Sequence, residues 1–488
     1  MPLDTATLLK AMGATATGAP LRVGGLAFDS RKVKPGDVFF ALAGSATDGA
    51  LYAAKAAEAG AVMIVGAGAR PAGLPAAVPF VAVADPRAAL SAAAALAFPR
   101  QPGTIVAVTG TAGKSSVADF ARQIFQHLGH ASASLGTLGV ISPTGADYGT
   151  LTTPDPLRLH QTVDRLAGEG ITHLAVEASS HGLDQRRLDG LRLAAGAFTN
   201  LGRDHLDYHP TIDDYLACKL RLFTALLPAG APAILNMDGD RAGDVAAVCA
   251  ARGLALFTTG WKGEHLRLLS VEAMPFGQRL EVACGRHVHP VVLPLIGAFQ
   301  IENALVAAGF ALALGAAPKP VFAALGQLKG VPGRLERVGA KGMAPVFVDY
   351  AHKPEALVSV LDTMRAATRG RLIVIFGCGG DRDKGKRPIM GAIATDKADV
   401  VIVTDDNPRT EVAATIRREI LVAAPGAIEI GDRAEAIRAG IGLLTDGDAL
   451  VIAGKGHETG QIIGAVTVPF SDHEEARAAL LAAGGTVT

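Results

Sequence analysis

Six short apolar runs in this 488-residue chain each end in a cluster of glycine, hydroxyl and ionisable residues. They span 104–108, 173–176, 194–198, 372–376, 400–404 and 449–452, with helical stretches between them. Short strands alternating with helices predict βαβ units and parallel sheets, so the fold class expected is α/β. Parallel sheets bind ligands beyond the carboxyl ends of their strands, which is where these clusters fall. The length suits about three domains. Pro-Gly breaks at 99–103 and 331–333 set the expected boundaries at 1–99, 100–331 and 332–488. The first segment carries further short strands at 26–28, 38–42, 61–65 and 80–83. The second adds a strand at 232–235, an alternating stretch over 266–292 that reads as antiparallel strands, and a helix near 300–314. The third opens on a strand at 346–348 and repeats the α/β pattern. The two cluster-bearing faces are expected to border one cleft.

The first cluster is Thr109-Gly110-Thr111-Ala112-Gly113-Lys114-Ser115-Ser116, between a strand and a helix. Backbone N–H groups of such a turn cradle phosphate oxygens at a helix N-terminus. Lys114 is placed to neutralise phosphate charge and Ser115 to ligate Mg²⁺. Val108 stands where the common phosphate-loop pattern has glycine, so this is a shortened variant. These residues point to ATP.

The other clusters supply candidate chemistry. Glu177 is a hard oxygen ligand suited to Mg²⁺. His205 and His209 are four apart, but no Glu follows the first histidine as in the zinc motif H-E-x-x-H. Lys219 falls in a helical stretch. It is either an exposed helix lysine or, if buried, a neutral amine able to react. Arg334 is either a surface residue or a stabiliser of a transferring phosphoryl group. Asp349-Tyr350-Ala351-His352 ends a strand and suits ribose or phosphate contact. Asp406-Asn407-Pro408-Arg409 is strong turn chemistry, and its arginine can also hold a carboxylate by a two-pronged fork.

Lys plus Arg (46) equals Asp plus Glu (46), which argues against a general nucleic-acid binder. The most apolar stretch, 88–98, is far short of the ~20 residues of a membrane span and reads as a core helix. The N-terminus lacks a secretory pattern. Cys218, Cys249, Cys284 and Cys378 form no C-x-x-C pair and are expected as free thiols in a reducing compartment. A cytoplasmic monomer acting on small molecules, with neither nucleic acid nor membrane as partner, is the expectation.

Taken in order, Asp29-Ser30-Arg31, the 109–116 loop, Glu177-Ala178-Ser179-Ser180-His181-Gly182-Leu183, the run from Asn200 through Arg203, His205, Leu206 and Asp207 to His209, Gly333-Arg334-Leu335-Glu336 and Asp349-Tyr350-Ala351-His352 closely resemble the Mur ligase family of peptidoglycan precursor synthesis. The resemblance spans nearly the whole chain. It implies an N-terminal α/β UDP-binding domain, a central P-loop-like parallel-sheet ATPase domain and a C-terminal Rossmann-like domain that binds the amino acid. Asp406 to Arg409 is similar to the diaminopimelate-adding members, whose arginine binds the second carboxylate of meso-diaminopimelate. Lysine-adding relatives differ at this motif.

The implied reaction is ATP-dependent ligation of meso-2,6-diaminopimelate to UDP-N-acetylmuramoyl-L-alanyl-D-glutamate through an acyl phosphate, with two Mg²⁺ ions. By resemblance, Gly110, Thr111, Ala112, Gly113, Lys114, Ser115 and Ser116 hold ATP, together with Asn303, Arg334 and Asp349. Ser115 and Glu177 serve one metal; His205 and Lys219, as a carbamate, serve the other. The implied catalytic residues are Lys114, Lys219, His205 and Arg334. Ser30, Thr152, Thr153, Ser179, Gln185 and Arg187 hold the UDP-sugar dipeptide. Arg382, Asp406, Asn407, Pro408, Arg409, Gly454 and Glu458 surround diaminopimelate. The chain departs from the family pattern at Ala112 (usually Asn), Ser115 (often Thr), Gln300 (usually Asn) and Lys353 (usually Thr). A lysine-adding or folylpolyglutamate-type ligase, or a nucleotide switch without ligase chemistry, are the alternatives.

Overall fold

Strand-end clusters meet only if the strands run parallel in one register, and the computed structural model has this arrangement. It describes residues 4–14, 21–44, 47–147, 151–202, 204–205, 208–274 and 277–488. Arg203, Leu206 and Asp207 of the histidine-bearing motif lie outside the described residues. The chain divides into two compact units. One is Met1–Thr259 with Gly309–Ala316; the other is Gly260–Ala308 with Ala317–Thr488.

The first unit holds two sheets. The smaller joins β1 (Gly25–Ala27), β2 (Asp37–Phe40), β3 (Met63–Gly66) and β4 (Phe80–Ala82) in sequence order, all parallel. Side chains alternate across a strand. Val38 and Phe40 therefore enter one core with Leu90 and Ala93, while Phe39 enters another with Ala53 and Ile64. The stretch expected as a core helix is Pro86–Ala97, with Pro at its first turn and Asp85 capping the N–H groups of Arg87 and Ala88. No helix among the described residues is long and apolar enough to cross a membrane.

The larger sheet is built on β5 (Thr104–Thr109), followed in sequence by β6 (Ser132–Gly136), β7 (Gly139–Ser142), β8 (Gly145–Asp147), β9 (His173–Glu177), β10 (Leu193–Phe198), β11 (Pro232–Asn236) and β12 (Ala255–Gly260). The spatial order is β12-β11-β10-β5-β9-β6-β7-β8. β5 lies parallel between β9 and β10, with Val108 paired to Glu177 and Thr109 to Phe198. Three clusters therefore leave the sheet side by side. Ile105 to Val108 are buried throughout, as a strand covered on both faces requires.

The second unit contains an antiparallel meander of β13 (Leu266–Met274), β14 (Gly277–Cys284) and β15 (His287–Leu293). Leu280 and Val282 are buried while Arg279 and Glu281 are exposed, which matches the alternation in the sequence. Its main sheet comprises β16 (Glu336–Lys341), β17 (Ala344–Asp349), β18 (Leu372–Phe376), β19 (Val400–Val403), β20 (Ile428–Glu429), β21 (Ala449–Ala453) and, after the hairpin β22 (Gly460–Ile463) and β23 (Val466–Pro469), β24 (Thr486–Val487). The order is β20-β19-β18-β21-β17-β16-β24, parallel from β20 to β17. Val374 and Phe376 face one core, Ile373 and Ile375 the other. The four cysteines are free.

Beneath the ends of these strands lies a fully buried ion pair. Arg433 Nε and Nη2 donate to the two carboxylate oxygens of Asp472 at 2.7 and 2.8 Å, and Nη2 also donates to the Ala453 carbonyl at 3.0 Å. Removing one member of such a pair strands the other charge. Asp472→Ala is expected to destabilise the protein by about 3–5 kcal/mol. Arg165→Ala, which breaks an exposed helical pair, is expected to cost about 0.5 kcal/mol or less. Urea unfolding compares them, and equal losses would contradict this assignment.

Candidate active site

The loop after β5 turns on two glycines. Gly110 has φ +147°, and a Cβ there would stand 1.9 Å from Thr199 Oγ1, so no side chain fits. Gly113 (φ +85°) caps the helix Lys114–His127. The cluster after β10 holds the loop in place. The N–H of Thr111 donates to the Asn200 carbonyl, that of Ala112 to Asn200 Oδ1, both at 2.9 Å, and Thr199 Oγ1 donates to the Ala112 carbonyl at 2.6 Å.

Two lysines converge on the Gly110 carbonyl, Lys114 Nζ at 2.9 Å and Lys219 Nζ at 2.7 Å. Lys219 is buried in the helix Ile212–Arg221, and its amine lies 4.1 Å from the centroid of the Tyr215 ring. Burial, and then the neighbouring Lys114 charge, push its pKa down to about 6. Of the two sequence readings it is thus the buried lysine, not the exposed helix lysine. Ser115 is half-buried and Ser116 buried in the same first turn.

Glu177 ends β9 with its carboxylate buried. It accepts from the Thr137 N–H at 2.7 Å and the Thr137 hydroxyl at 3.2 Å. A side chain on Gly136 would collide with it, at 2.0 Å from Oε1. The Thr137 hydroxyl is also 3.0 Å from that of Thr152. Thr153 donates to the Glu177 carbonyl at 2.8 Å and accepts from the Ser179 N–H at 3.1 Å. Arg187 donates to the Thr153 carbonyl at 2.6 Å and to Gln185 Oε1 at 2.7 Å. The sequence-predicted Thr152, Thr153, Ser179, Gln185 and Arg187 thus form one connected patch running from Glu177.

Ser30 is not tied to that patch by any hydrogen bond among the described residues. It sits after β1, between Asp29 and an Arg31 that fork-bonds Asp29 and holds its carboxyl down at about 2. His205 is exposed, in a left-handed conformation (φ +54°), edge-on to the His181 ring at 4.9 Å.

In the second unit, Asn303 is buried in the helix Ala298–Ala313. The Arg334 guanidinium lies 5.1 Å from the centroid of the Tyr350 ring. The Asp349 carboxylate accepts from the Leu335 and Ala351 N–H groups at 2.6 and 2.7 Å, and burial pushes its pKa up to about 6 against the pull of Arg334.

A cavity of about 570 Å³ opens at the ends of this unit's parallel strands. Arg382, Asp406, Asn407, Arg409, Gly454 and Glu458 all line it. Pro408 does not; its carbonyl accepts the Glu411 N–H. Arg409 is held at φ +52° because its N–H donates to the Ile462 carbonyl and its own carbonyl accepts the Gly464 N–H. Its guanidinium donates through Nη1 to the Gly380 carbonyl at 2.8 Å. Gly454 (φ +118°) admits no side chain, since a Cβ would stand 2.8 Å from Asp406 Oδ2. Glu355, Asp383 and Lys386 also line the cavity and were missed from sequence. Glu355 and Lys386 open helices that follow strands, a position that was a readable signal.

Three family models match successive stretches of the chain. The Mur ligase family catalytic-domain model matches residues 22–97, the Mur ligase middle-domain model 108–311 and the glutamate ligase domain model 333–456. The chain belongs to the Mur ligase family. It is 58% identical over 466 residues to the UDP-N-acetylmuramoyl-L-alanyl-D-glutamate–2,6-diaminopimelate ligase of Bradyrhizobium diazoefficiens, covering 95% of this chain and 96% of that one. It is also 58% identical to the ligase of the same name from Mesorhizobium japonicum, over 95% and 96%. A solved structure bearing that ligase name superposes with a TM-score of 0.74 at 31% identity, over the full length of both chains.

The family's Mg²⁺ fits these residues. Mg²⁺ takes one or two carboxylates and completes its shell with phosphate oxygens and water. Glu177 ends β9 and Ser115 lies in the first turn of the helix that follows the neighbouring β5, so both could serve one ion; a carbamate on Lys219 would give the other ion an anionic oxygen donor. No three His, Cys, Asp or Glu side chains among the described residues converge as a preformed metal cage.

A free lysine ordinarily titrates near 10.5, and Lys219 when folded near 6. Between those values the unfolded chain binds the extra proton, so stability rises with pH across the window. Lys219→Met is therefore expected to gain stability over the unmodified protein at pH 7, with the gain shrinking as pH approaches 10.5. Urea unfolding in bicarbonate-free buffer measures this; a gain independent of pH would refute it.

Proposed function

We propose that this chain is the ATP-dependent ligase that adds meso-2,6-diaminopimelate to UDP-N-acetylmuramoyl-L-alanyl-D-glutamate in peptidoglycan synthesis. The observation that carries the choice of amino acid is the cavity at the C-terminal strand ends, with Arg382 and Arg409 beside Asp406 and Glu458. Diaminopimelate carries two carboxylates and two amino groups, and this lining offers cations and carboxylates to both kinds. A lysine substrate would leave an arginine desolvated and unpaired, which penalises the wrong amino acid.

ATP transfers its γ-phosphoryl group to the D-glutamate side-chain carboxylate, releasing ADP and leaving an acyl phosphate. An amine of diaminopimelate then attacks the acyl carbon, a C–N bond forms, the amine loses a proton, and phosphate departs with the C–O electron pair. Backbone N–H groups of residues 110–116 and the Lys114 ammonium bind the phosphates. Asn303, Arg334 and Asp349 contact the nucleotide, Arg334 stabilising transferring charge. Bound Mg²⁺ neutralises charge on the phosphoryl group. Ser115 and Glu177 would hold one ion, His205 and Lys219 as a carbamate the other. The low pKa leaves Lys219 a neutral amine at pH 7, the form that adds CO₂ and releases a proton to become a carbamate. Ser30 and the patch from Thr152 to Arg187 take the UDP-sugar dipeptide. Segments 1–99, 100–331 and 332–488 serve the UDP-sugar, ATP and the amino acid in turn. The enzyme works as a cytoplasmic monomer on small molecules.

Arg409→Ala is expected to raise KM for diaminopimelate by about tenfold to a hundredfold, the worth of ~1.5–3 kcal/mol of charge-assisted hydrogen bonding, while KM for ATP stays put. Ligation kinetics with diaminopimelate and L-lysine as acceptors test it; unchanged diaminopimelate kinetics would sink the assignment. With ¹³C-bicarbonate, a carbamate carbon resonance is expected in the native protein and absent from Lys219→Met.

A further inference from the structure

Lys455 is fully buried beside the C-terminal cavity and does not line it. Its Nζ donates to Glu458 Oε2 at 3.0 Å and to Asn407 Oδ1 at 3.1 Å. Asn407 Nδ2 donates to the same Glu458 oxygen at 2.9 Å, and the Ile462 N–H donates to Asn407 Oδ1, also at 2.9 Å. The Asn407 Oδ1 is therefore spent inside the protein, as is one of its Nδ2 hydrogens. Glu458 Oε2 has two donors, one of them charged, while Oε1 has no hydrogen bond from the described residues. The Glu458 side chain keeps 34% of its surface exposed, against none for Lys455.

A buried ammonium requires a carboxylate partner. Here the partner is the residue that reaches the cavity, so the lysine's bond also fixes where that carboxylate points. The same asparagine connects this pair to Arg409, whose Nη1 lies 3.5 Å from the Asn407 carbonyl. A carboxylate and a guanidinium joined through one residue match the ammonium and carboxylate on one carbon of an α-amino acid.

We infer that Lys455 is a positioning residue for amino-acid recognition: with Asn407 it holds Glu458 so that the free oxygen faces the ammonium at the non-reacting end of diaminopimelate. This rests on the ligase reading above. Lys455 acts through Glu458 and touches no substrate. A purely structural role for Lys455 predicts lost stability and a general fall in activity; positioning predicts a selective effect.

The test uses the full chain, with ATP, Mg²⁺ and the UDP-dipeptide saturating and diaminopimelate varied. Lys455→Met is expected to raise KM for diaminopimelate on the order of tenfold or more, with KM for ATP unchanged. Glu458→Gln should do the same, and the double variant should be no worse than either single one, because both remove one interaction. With 2-aminopimelate, which lacks the far amino group, native enzyme and Lys455→Met should share one KM. Effects that multiply in the double variant, or a KM for ATP that rises in step, overturn the inference. If Lys455→Met does not fold, Lys455→Arg carries the same cycle. It should give a smaller rise that again vanishes in the Glu458→Gln background, and a rise that persists there overturns the inference equally. No ligation of diaminopimelate by the native chain overturns the ligase reading itself, and the inference with it.

Discussion

Parallel pairing is the constraint on which the rest depends. Antiparallel neighbours would send alternate strand ends to opposite edges of a sheet. Because β9, β5 and β10 run the same way in one register, Glu177, the Gly110 loop and Asn200 emerge at one edge. The Asn200 clamp on Thr111 and Ala112 is possible only for that reason. In the second unit the same rule gathers Asp349, Gly377, Asp406 and Gly454 at the ends of β17, β18, β19 and β21.

At the first of these edges, two lysine side chains reach for one carbonyl. Two full positive charges so close, one of them out of water, oppose each other. Burial first, and then the Lys114 charge, lower the pKa of Lys219, as desolvation requires. Lys114 is half-buried at the first turn of its helix.

The second edge manages charge differently. Its carboxylates and guanidinium groups are held by backbone bonds and by fully buried ions, with Arg433 on Asp472 and Lys455 on Glu458. Strain is placed there too. Arg409 and Asp381 both adopt left-handed conformations, φ +52° and +54°, and each is tied down by hydrogen bonds, Arg409 to the β22–β23 hairpin and Asp381 to Thr410 and Glu411. Rigid charge at a cavity wall discriminates better than mobile charge, because no ordering cost falls on binding.

Much of the fold was legible. Continuous apolar runs such as Leu372–Phe376 declare a strand buried on both faces, and the glycines of the first loop declare a phosphate cradle. The strand β6 was not read, because Ser132-Ala133-Ser134 lacks an apolar signature and its burial comes from the sheet around it; β12 was not read although it opens on Ala255-Leu256-Phe257. Among site residues, the chemistry of Glu177, Arg409 and Glu458 was visible as residue type and order. That Lys219 is buried, that Asn407 Oδ1 is taken up by Lys455 and the Ile462 N–H, and that Pro408 does not line the cavity were not. Local sequence determined which groups stand at strand ends, since that depends on the order of apolar runs and turns. Only tertiary structure decided which of those groups lose water and which keep a free atom for a ligand, because desolvation depends on every neighbour, near or far in the chain.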